Sequence, residues 1–312
     1  ARNDLNFPDG TYFAMDGPRW KPGLPLEGKS ILLICEQGLG DEVLFGGIVP
    51  DVLDRLGPEG QLTLAVEPRL VELFARSFPT ARIEPHKTVS VSGRILRIVP
   101  GLQGGGAGIE YWAPLGSLLA EFRPTPESFP DRRGYLVPDP ERVAHWRKVL
   151  DSAPAGPRVG LLWKSAILAG GRKRFFSPFD AWEPVLRNEG PLFVNLQYGD
   201  VEDELRLARE RFGVEIWNPP GIDLKQDLDD VAALSSAMDL VIGFSNATFN
   251  LAAATGTPAW LICAKGAWTP LGTDRYPWYP QVRLYQPTAY AEWSPVLETI
   301  AADLGREFGT GR

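Results

Sequence analysis

The chain has 312 residues, 44% hydrophobic and 23% charged, with a formal net charge of −7. Its length is roughly twice that of a typical domain, so two domains are expected, and the composition suffices for two buried cores and excludes a disordered chain. The acidic balance excludes a general nucleic-acid binder, whose affinity rests on neutralising phosphates, yet it leaves room for a local basic pocket around one small phosphate ligand.

Residues 1–28, rich in Pro, Gly and aromatics, read as an extended N-terminal arm. Regular structure starts with the apolar strand ILLIC, a Gly-containing turn, and one helix whose apolar positions Val43, Leu44, Ile48, Val52 and Leu53 recur at helical spacing. The run QLTLAVEPRLVELFARSF supplies a second strand and helix, and a short strand follows near Ala81–Glu84. Strands and helices in this alternation imply a parallel sheet. GLQGGGAGIEYWAP reads as a flexible loop. The Pro- and Arg-rich stretch FRPTPESFPDRRGYLVPDPERV divides the chain near Gly134–Asp139, giving one Rossmann-like domain over 29–135 and a second over 136–312. Strands are expected in RVGLLW, PLFVNLQ, VEIWN, MDLVIGF and PAWLICA, and helices in DAWEPVLRN, VEDELRLARERF, DLDDVAALSSAM and NATFNLAAAT. SPVLETIAADLGREF reads as a terminal helix with the option of packing back on the first half. In such units ligands sit at the carboxyl ends of the strands.

Cys35 and Cys263 lie in apolar strand-like runs and read as buried, reduced thiols. No apolar run approaches the ~20 residues of a membrane helix, and no signal-peptide series opens the sequence. A cytoplasmic protein without membrane insertion is therefore expected.

The turn Gln37-Gly38-Leu39-Gly40-Asp41 is not a dinucleotide fingerprint, because Val43 stands where the third glycine belongs and Asp41 would repel a pyrophosphate. Asp41 at a helix start caps free N–H groups. From the mouth of a cleft it is also placed to take a proton from an acceptor hydroxyl, and one fixed carboxylate can do both. After RVGLLW come Trp163, Lys164 and Ser165, then Arg172, Lys173 and Arg174, four cations within eleven residues on a loop made pliable by Ala and Gly. They read either as a solvated charge run or as partners of a donor phosphate. The run FSNATFNLA follows an apolar strand and opens a small-residue helix that ends at Gly256 before Pro258. Ser245, Asn246, Ala247 and Thr248 at that helix start form a phosphate site, or more plainly an N-cap on a tightly packed helix. Asp223, Asp227, Asp229 and Asp230 read as the loop and first turn of a helix. With His86 and His145 as the two histidines and no metal-ligand spacing, no metal is expected. Trp268 and Trp278, in the Pro-stiffened WTPLGTDRYPWYP, read equally as a stacking surface and as a packed domain edge.

Taken in order, EQGLGDEVLF, VGLLWKS with RKR, VNLQYGD, DLDDVAAL, MDLVIGFSNATFNLAAATGTPAW and PWYP resemble the glycosyltransferase domain that follows tetratricopeptide repeats in many bacterial proteins, from about Trp20 to Trp293. That group is similar to the heptosyltransferases of glycosyltransferase family nine and includes proteins implicated in flagellin glycosylation. The resemblance implies an α/β fold of the GT-B type, two Rossmann-like domains facing across a cleft. It implies an acceptor on the N-terminal half, a nucleotide sugar on the C-terminal half, no cofactor or obligatory metal, and inversion at the anomeric carbon. It places the catalytic base on Asp41 and the donor phosphate at Lys164 or within Arg172–Arg174, and at the Ser245–Thr248 helix start. Gln37, Gly38, Gly40, Trp163, Gln197, Asn250, Trp268 and Trp278 are expected to line the cleft. The implied partners are a nucleotide sugar, a protein acceptor such as flagellin, and a repeat region in a longer parent chain. Many relatives carry Asp-Thr where this chain has Ser245-Asn246, and a histidine where it has Asn250.

The expected reaction is a single displacement, in which Asp41 deprotonates an acceptor hydroxyl while the helix start and the cations stabilise the leaving phosphate. Two other readings share this architecture. A nucleotide-sugar 2-epimerase acts without an acceptor; a non-catalytic binding module is favoured by the departures at Ser245, Asn246 and Asn250.

Overall fold

The computed structural model describes residues 11–102, 108–165 and 175–309. The chain divides into two compact units: unit 1 comprises Ala1–Pro130 and Tyr135–Val137, and unit 2 comprises Asp131–Gly134 and Pro138–Arg312. Among the described residues no helix is long and apolar enough to cross a membrane.

Unit 1 opens with β1 (Thr11–Phe13) and β2 (Ser30–Ile34), and passes through α1 (Leu39–Gly46) and α2 (Val49–Leu56) to β3 (Gln61–Val66). It continues with α3 (Val71–Ser77), β4 (Arg82–Pro85), β5 (Lys87–Val91), β6 (Arg94–Ile98), β7 (Tyr111–Pro114) and α4 (Leu119–Phe122). The main sheet runs β4-β3-β2-β7 with every pairing parallel. β2 and β3 are covered on both faces, which is why they read as continuous apolar runs rather than as alternating ones. The single helix expected across 43–53 is two helices: Gly46 and Gly47 are poor helix formers, and Pro50, in the first turn of α2, has no N–H to offer the turn before it. The stretch expected as a loop ends in a full strand, β7, while its residues 103–107 lie outside the described ones. A hairpin escaped the sequence reading: Ser92 and Gly93, both left-handed at φ 51 and 76, turn β5 back on β6. From the expected arm, β1 joins β6 to complete a small sheet ordered β1-β6-β5, and Trp20 is buried with its Nε1 donating to the Leu24 carbonyl.

Unit 2 contains α5 (Pro140–Leu150), β8 (Arg158–Leu162), α6 (Glu183–Leu186), β9 (Leu192–Asn195), α7 (Glu202–Leu207) and α8 (Leu228–Ser236). There follow β10 (Leu240–Phe244), α9 (Ala247–Ala254), β11 (Ala259–Ile262), β12 (Val282–Tyr285) and α10 (Trp293–Phe308). Its sheet is ordered β12-β11-β10-β8-β9, again all parallel. The stretch taken as a divider runs into the first turn of α5, capped by Asp139, whose carboxylate accepts the N–H groups of Glu141 and Arg142 at 2.8 and 3.2 Å. VEIWN does not form a strand: it contributes one bridge, Trp217 to Val194, before Pro219 and Pro220 end any ladder for want of N–H donors. The terminal helix spends its apolar face in unit 2, where Trp293, Val296, Leu297, Ile300 and Leu304 pack with Val159, Leu161, Trp182 and Ile242. The acidic residues are engaged by their own loop and by α5. Asp223 accepts from the N–H groups of Lys225 and Gln226, Asp227 from that of Asp223, and Asp230 receives Trp146 Nε1 at 2.9 Å and pairs with Arg142.

Candidate functional site

Counted along the chain, the strands of unit 2 lie in the order 5-4-3-1-2, so successive connections leave to opposite sides between β8 and β10. A doubly wound sheet binds ligands outside the carboxyl ends of its strands at that reversal. Two of the stretches singled out in the sequence begin there. β8 runs into Trp163-Lys164-Ser165, and β10 runs into Ser245-Asn246 and α9.

Asn246 is the N-cap of α9: its Oδ1 accepts the Phe249 N–H at 2.9 Å, and its Nδ2 donates to the Lys164 carbonyl at 3.3 Å. One side chain therefore ties the two strand ends together. The Asn250 N–H is taken by the Asn246 carbonyl at 3.1 Å, whereas those of Ala247 and Thr248 carry no bond among the described residues. Two free N–H groups at the positive end of a helix are suited to an anion. Ser245 is exposed, while Thr248 is 1% exposed with its hydroxyl unpartnered among the described residues. Asn250 is buried one turn further on. From Thr248 to Ala254 the whole helix is buried, and its alanines allow it to sit close under the sheet.

The β8 side differs from expectation. Trp163 is 1% exposed and packs against Phe179 with ring centroids 5.0 Å apart, so it belongs to the core and not to a sugar-contacting wall. Gln197 is also buried; its Oε1 accepts the N–H groups of Trp163 and Lys164 at 3.1 and 2.9 Å, which makes it a latch on the loop after β8. Lys164 pairs with Glu204 and donates to the Asp200 carbonyl at 2.7 Å, so its charge is spent on the α7 side rather than held out for a phosphate. Arg172, Lys173 and Arg174 lie outside the described residues.

β11 leads to the aromatic segment. Trp268 is 53% exposed, edge-on to Trp278 at 5.9 Å, while Trp278 Nε1 donates to the Thr269 carbonyl at 2.8 Å. Tyr276 and Tyr279 are buried beneath. The segment is thus packed on one side and offers an indole on the other. Both cysteines are buried and unlinked, and burial pushes the Cys263 thiol up to about 11.

In unit 1 the main-sheet strands lie in the order 3-2-1-4, with the reversal between β2 and β7. β2 runs into Cys35-Glu36-Gln37-Gly38, and α1 begins at Leu39. Gln37 is left-handed at φ 67, a conformation that costs a non-glycine residue and recurs at functional turns. Asp41, half-buried in the first turn of α1, accepts the Gly38 N–H at 3.1 Å, so the capping role read from the sequence is present. Gly40 lies beside it in that turn.

Four ionisable side chains that the sequence reading passed over converge beneath this turn. Glu36, Glu42, His86 and Arg97 are 2%, 1%, 5% and 6% exposed. Glu42 shares a 2.8 Å hydrogen bond with His86 Nε2, accepts the Glu67 N–H at 2.8 Å, and lies 3.4 Å from Arg97 Nη1. Arg97 also donates to the carbonyls of Cys35 and Gln37. Glu36 accepts the Gly116 N–H just past β7, and a Cβ on Gly116 would stand 2.6 Å from its Oε1, so a side chain there would displace the carboxyl. Burial raises the Glu36 carboxyl to about 7, with Glu42 adding to the shift and the Gly116 N–H and Arg97 opposing it.

No protein-family profile matches the chain. It is 51% identical over 300 residues to Protein FlbA of Caulobacter vibrioides; the match takes in 96% of this chain and 50% of that protein, so the chain spans about half the length of the curated relative it matches. Among solved structures it is similar to the glycosyl transferase family 9 protein of Veillonella parvula, with a TM-score of 0.60 at 11% identity over 85% of this chain and 87% of that one. It is similar to E. coli ADP-heptose LPS heptosyltransferase II, with a TM-score of 0.61 at 13% identity over 89% and 99%. It also matches E. coli heptosyltransferase WaaC with ADP, with a TM-score of 0.54 at 13% identity over 89% and 98%. At these identities the likeness is one of fold: the chain has the α/β, parallel-sheet fold of GT-B-like glycosyltransferases.

Proposed function

We propose that the chain is a nucleotide-sugar glycosyltransferase, with the donor on unit 2 and the acceptor hydroxyl presented to unit 1. The observation that carries this reading is the pair of N–H groups at the start of α9 that carry no bond among the described residues, beside the β8–β10 reversal of a sheet with the glycosyltransferase fold. The names of two structural neighbours contain ADP-heptose or ADP, so an ADP-linked sugar is the donor to try first.

In the proposed reaction Asp41 takes the proton of the acceptor hydroxyl, whose oxygen attacks the anomeric carbon from the side opposite the phosphate. The bond to the phosphate oxygen breaks with its electron pair, and the Ala247 and Thr248 amides hold the charge that grows there, an effect worth a few kcal/mol per well-placed donor. Inversion, independence from metal and cofactor, a protein acceptor such as flagellin, a linked tetratricopeptide-repeat region and a cytoplasmic setting belong to the same proposal and rest on the sequence resemblance. The hydrogen bond from the Gly38 N–H supports Asp41 as base by fixing its carboxylate, and the exposed Trp268 indole supports a stacking role against base or sugar. Lys164 serves the donor only on leaving Glu204.

Calorimetry against a panel of nucleotides and nucleotide sugars tests this directly, with ADP and ADP-sugars expected to bind. Asp41→Asn is expected to abolish transfer with nucleotide affinity nearly unchanged; transfer at the parental rate would remove Asp41 as the base. A non-catalytic binding module is the second reading, favoured by the engagement of Lys164 with Glu204. A panel in which no nucleotide binds would reject the transferase and leave the module.

A further inference from the structure

The buried group beneath the Asp41 turn is unused by the reaction just described, and its charges do not balance unless a proton is retained. Arg97 is a fixed positive charge. Glu42, with a backbone N–H, a histidine nitrogen and a guanidinium around it, has the surroundings of a carboxylate. Glu36 is bonded by backbone N–H groups alone, that of Gly116, at 3.1 and 3.4 Å from its two oxygens, and its own. Two ionised carboxyls against one guanidinium would leave a net negative charge out of water, which is costly. A proton on Glu36 removes that cost, whereas the buried His86 Nδ1 has no acceptor among the described residues to receive a further N–H. The Cys35 thiol beside Glu36 is itself held protonated by burial, so it supplies no further charge.

The geometry links this proton to the turn. Arg97 holds the carbonyls of Cys35 and Gln37, the residues on either side of Glu36, and Gln37 is the left-handed residue that starts the turn towards Asp41. Ionised Glu36 would compete with those carbonyls and with Glu42 for the same guanidinium. We propose that Glu36 is a positioning residue of unit 1: while it keeps its proton, Arg97 stays on the two carbonyls and the Asp41 turn is held, and when the proton leaves, Arg97 is drawn to the new carboxylate and the turn shifts. The consequence for catalysis rests on Asp41 being the base; the motion of the turn does not.

Amide nuclear magnetic resonance of the full chain, titrated across neutrality without nucleotide or sugar, reads both halves of the proposal. The Gly116 N–H is expected to titrate with a midpoint near 7, because it binds the Glu36 carboxyl, whose own value is about 7. The Gly38 and Leu39 amides are expected to move with the same midpoint, and both movements are expected to vanish in Glu36→Gln. Gly116 titrating while Gly38 and Leu39 stand still would overturn the proposal, as would a Gly116 amide that does not titrate near neutrality. The curves of the parent protein decide this even if the variant does not fold. Since no substrate is present, failure here would leave the transferase reading standing, and failure of the calorimetry would leave the titration standing.

Discussion

At Glu36 the direction of pH dependence follows from burial. Its carboxyl is raised from 4.5 to about 7, so the folded chain holds this proton more tightly than the unfolded one does. The contribution to stability is complete below about 4.5 and drains away as pH climbs to about 7. A shift of that size corresponds to about 3 kcal/mol. Glu36→Gln keeps the shape and cannot ionise, so urea unfolding is expected to show the variant gaining on the parent across that window and holding its gain above it. Parallel curves for the two proteins would mean that Glu36 does not carry the dependence. Asp41 was legible in the sequence because Gly-Asp ahead of apolar helical spacing marks a first turn. Glu36 and Glu42 were not, because what makes them unusual arrives from far along the chain: His86 is 44 residues from Glu42, and Arg97 is 55. Trp163 misled for the converse reason. A tryptophan one residue beyond a strand can turn inward or outward, and its sequence neighbours do not say which; it is 1% exposed.

At the level of elements, α9 joins a structural cap to a proposed ligand site, and substitutions at Asn246 separate the two. Asn246→Ala removes the acceptor for the Phe249 N–H and is expected to cost ~1 kcal/mol in thermal unfolding. Asn246→Asp keeps a cap of equal quality but loses the Nδ2 donor to the Lys164 carbonyl, so it is expected to unfold somewhat more easily than the parent, and its charge faces any phosphate at the Ala247 and Thr248 amides. Affinity for ADP in calorimetry is then expected to fall at least several-fold; unchanged affinity would move the phosphate away from α9. The strands β8, β10 and β11 were readable because buried parallel strands are uninterrupted apolar runs between turn residues. The β5–β6 hairpin was not, since β5 is largely exposed and carries little hydrophobic signal. α5 was hidden by its Pro-rich surroundings, although Asp139-Pro140 states a helix start in the usual terms of cap and first position. In VEIWN the residues favour a strand and Pro219-Pro220 prevents one.

For the molecule as a whole, α10 is the last element of unit 2 and part of its centre. Trp293, Val296, Leu297, Ile300 and Leu304 are each 6% exposed or less. At ~1.5–3 kcal/mol for each buried side chain, their removal forfeits roughly 10 kcal/mol, comparable with the entire stability of a typical domain. A chain ending at Glu292 is expected to lose the cooperative melting of unit 2, as seen by calorimetry or circular dichroism; a parental transition would show that the core closes without the helix. Between Pro130 and Pro138 the chain enters unit 2, returns to unit 1 for three residues, and leaves again. Tyr135 donates its hydroxyl to the Val43 carbonyl in unit 1, while Gly134 lies where a Cβ would stand 2.6 Å from both the Ala254 carbonyl oxygen and the Gly256 nitrogen in unit 2. The halves are therefore not cassettes that one splice can exchange between relatives. Residues 131–137 answer to two hosts at once, and a recombinant inheriting them from a single parent carries a mismatch in one half or the other.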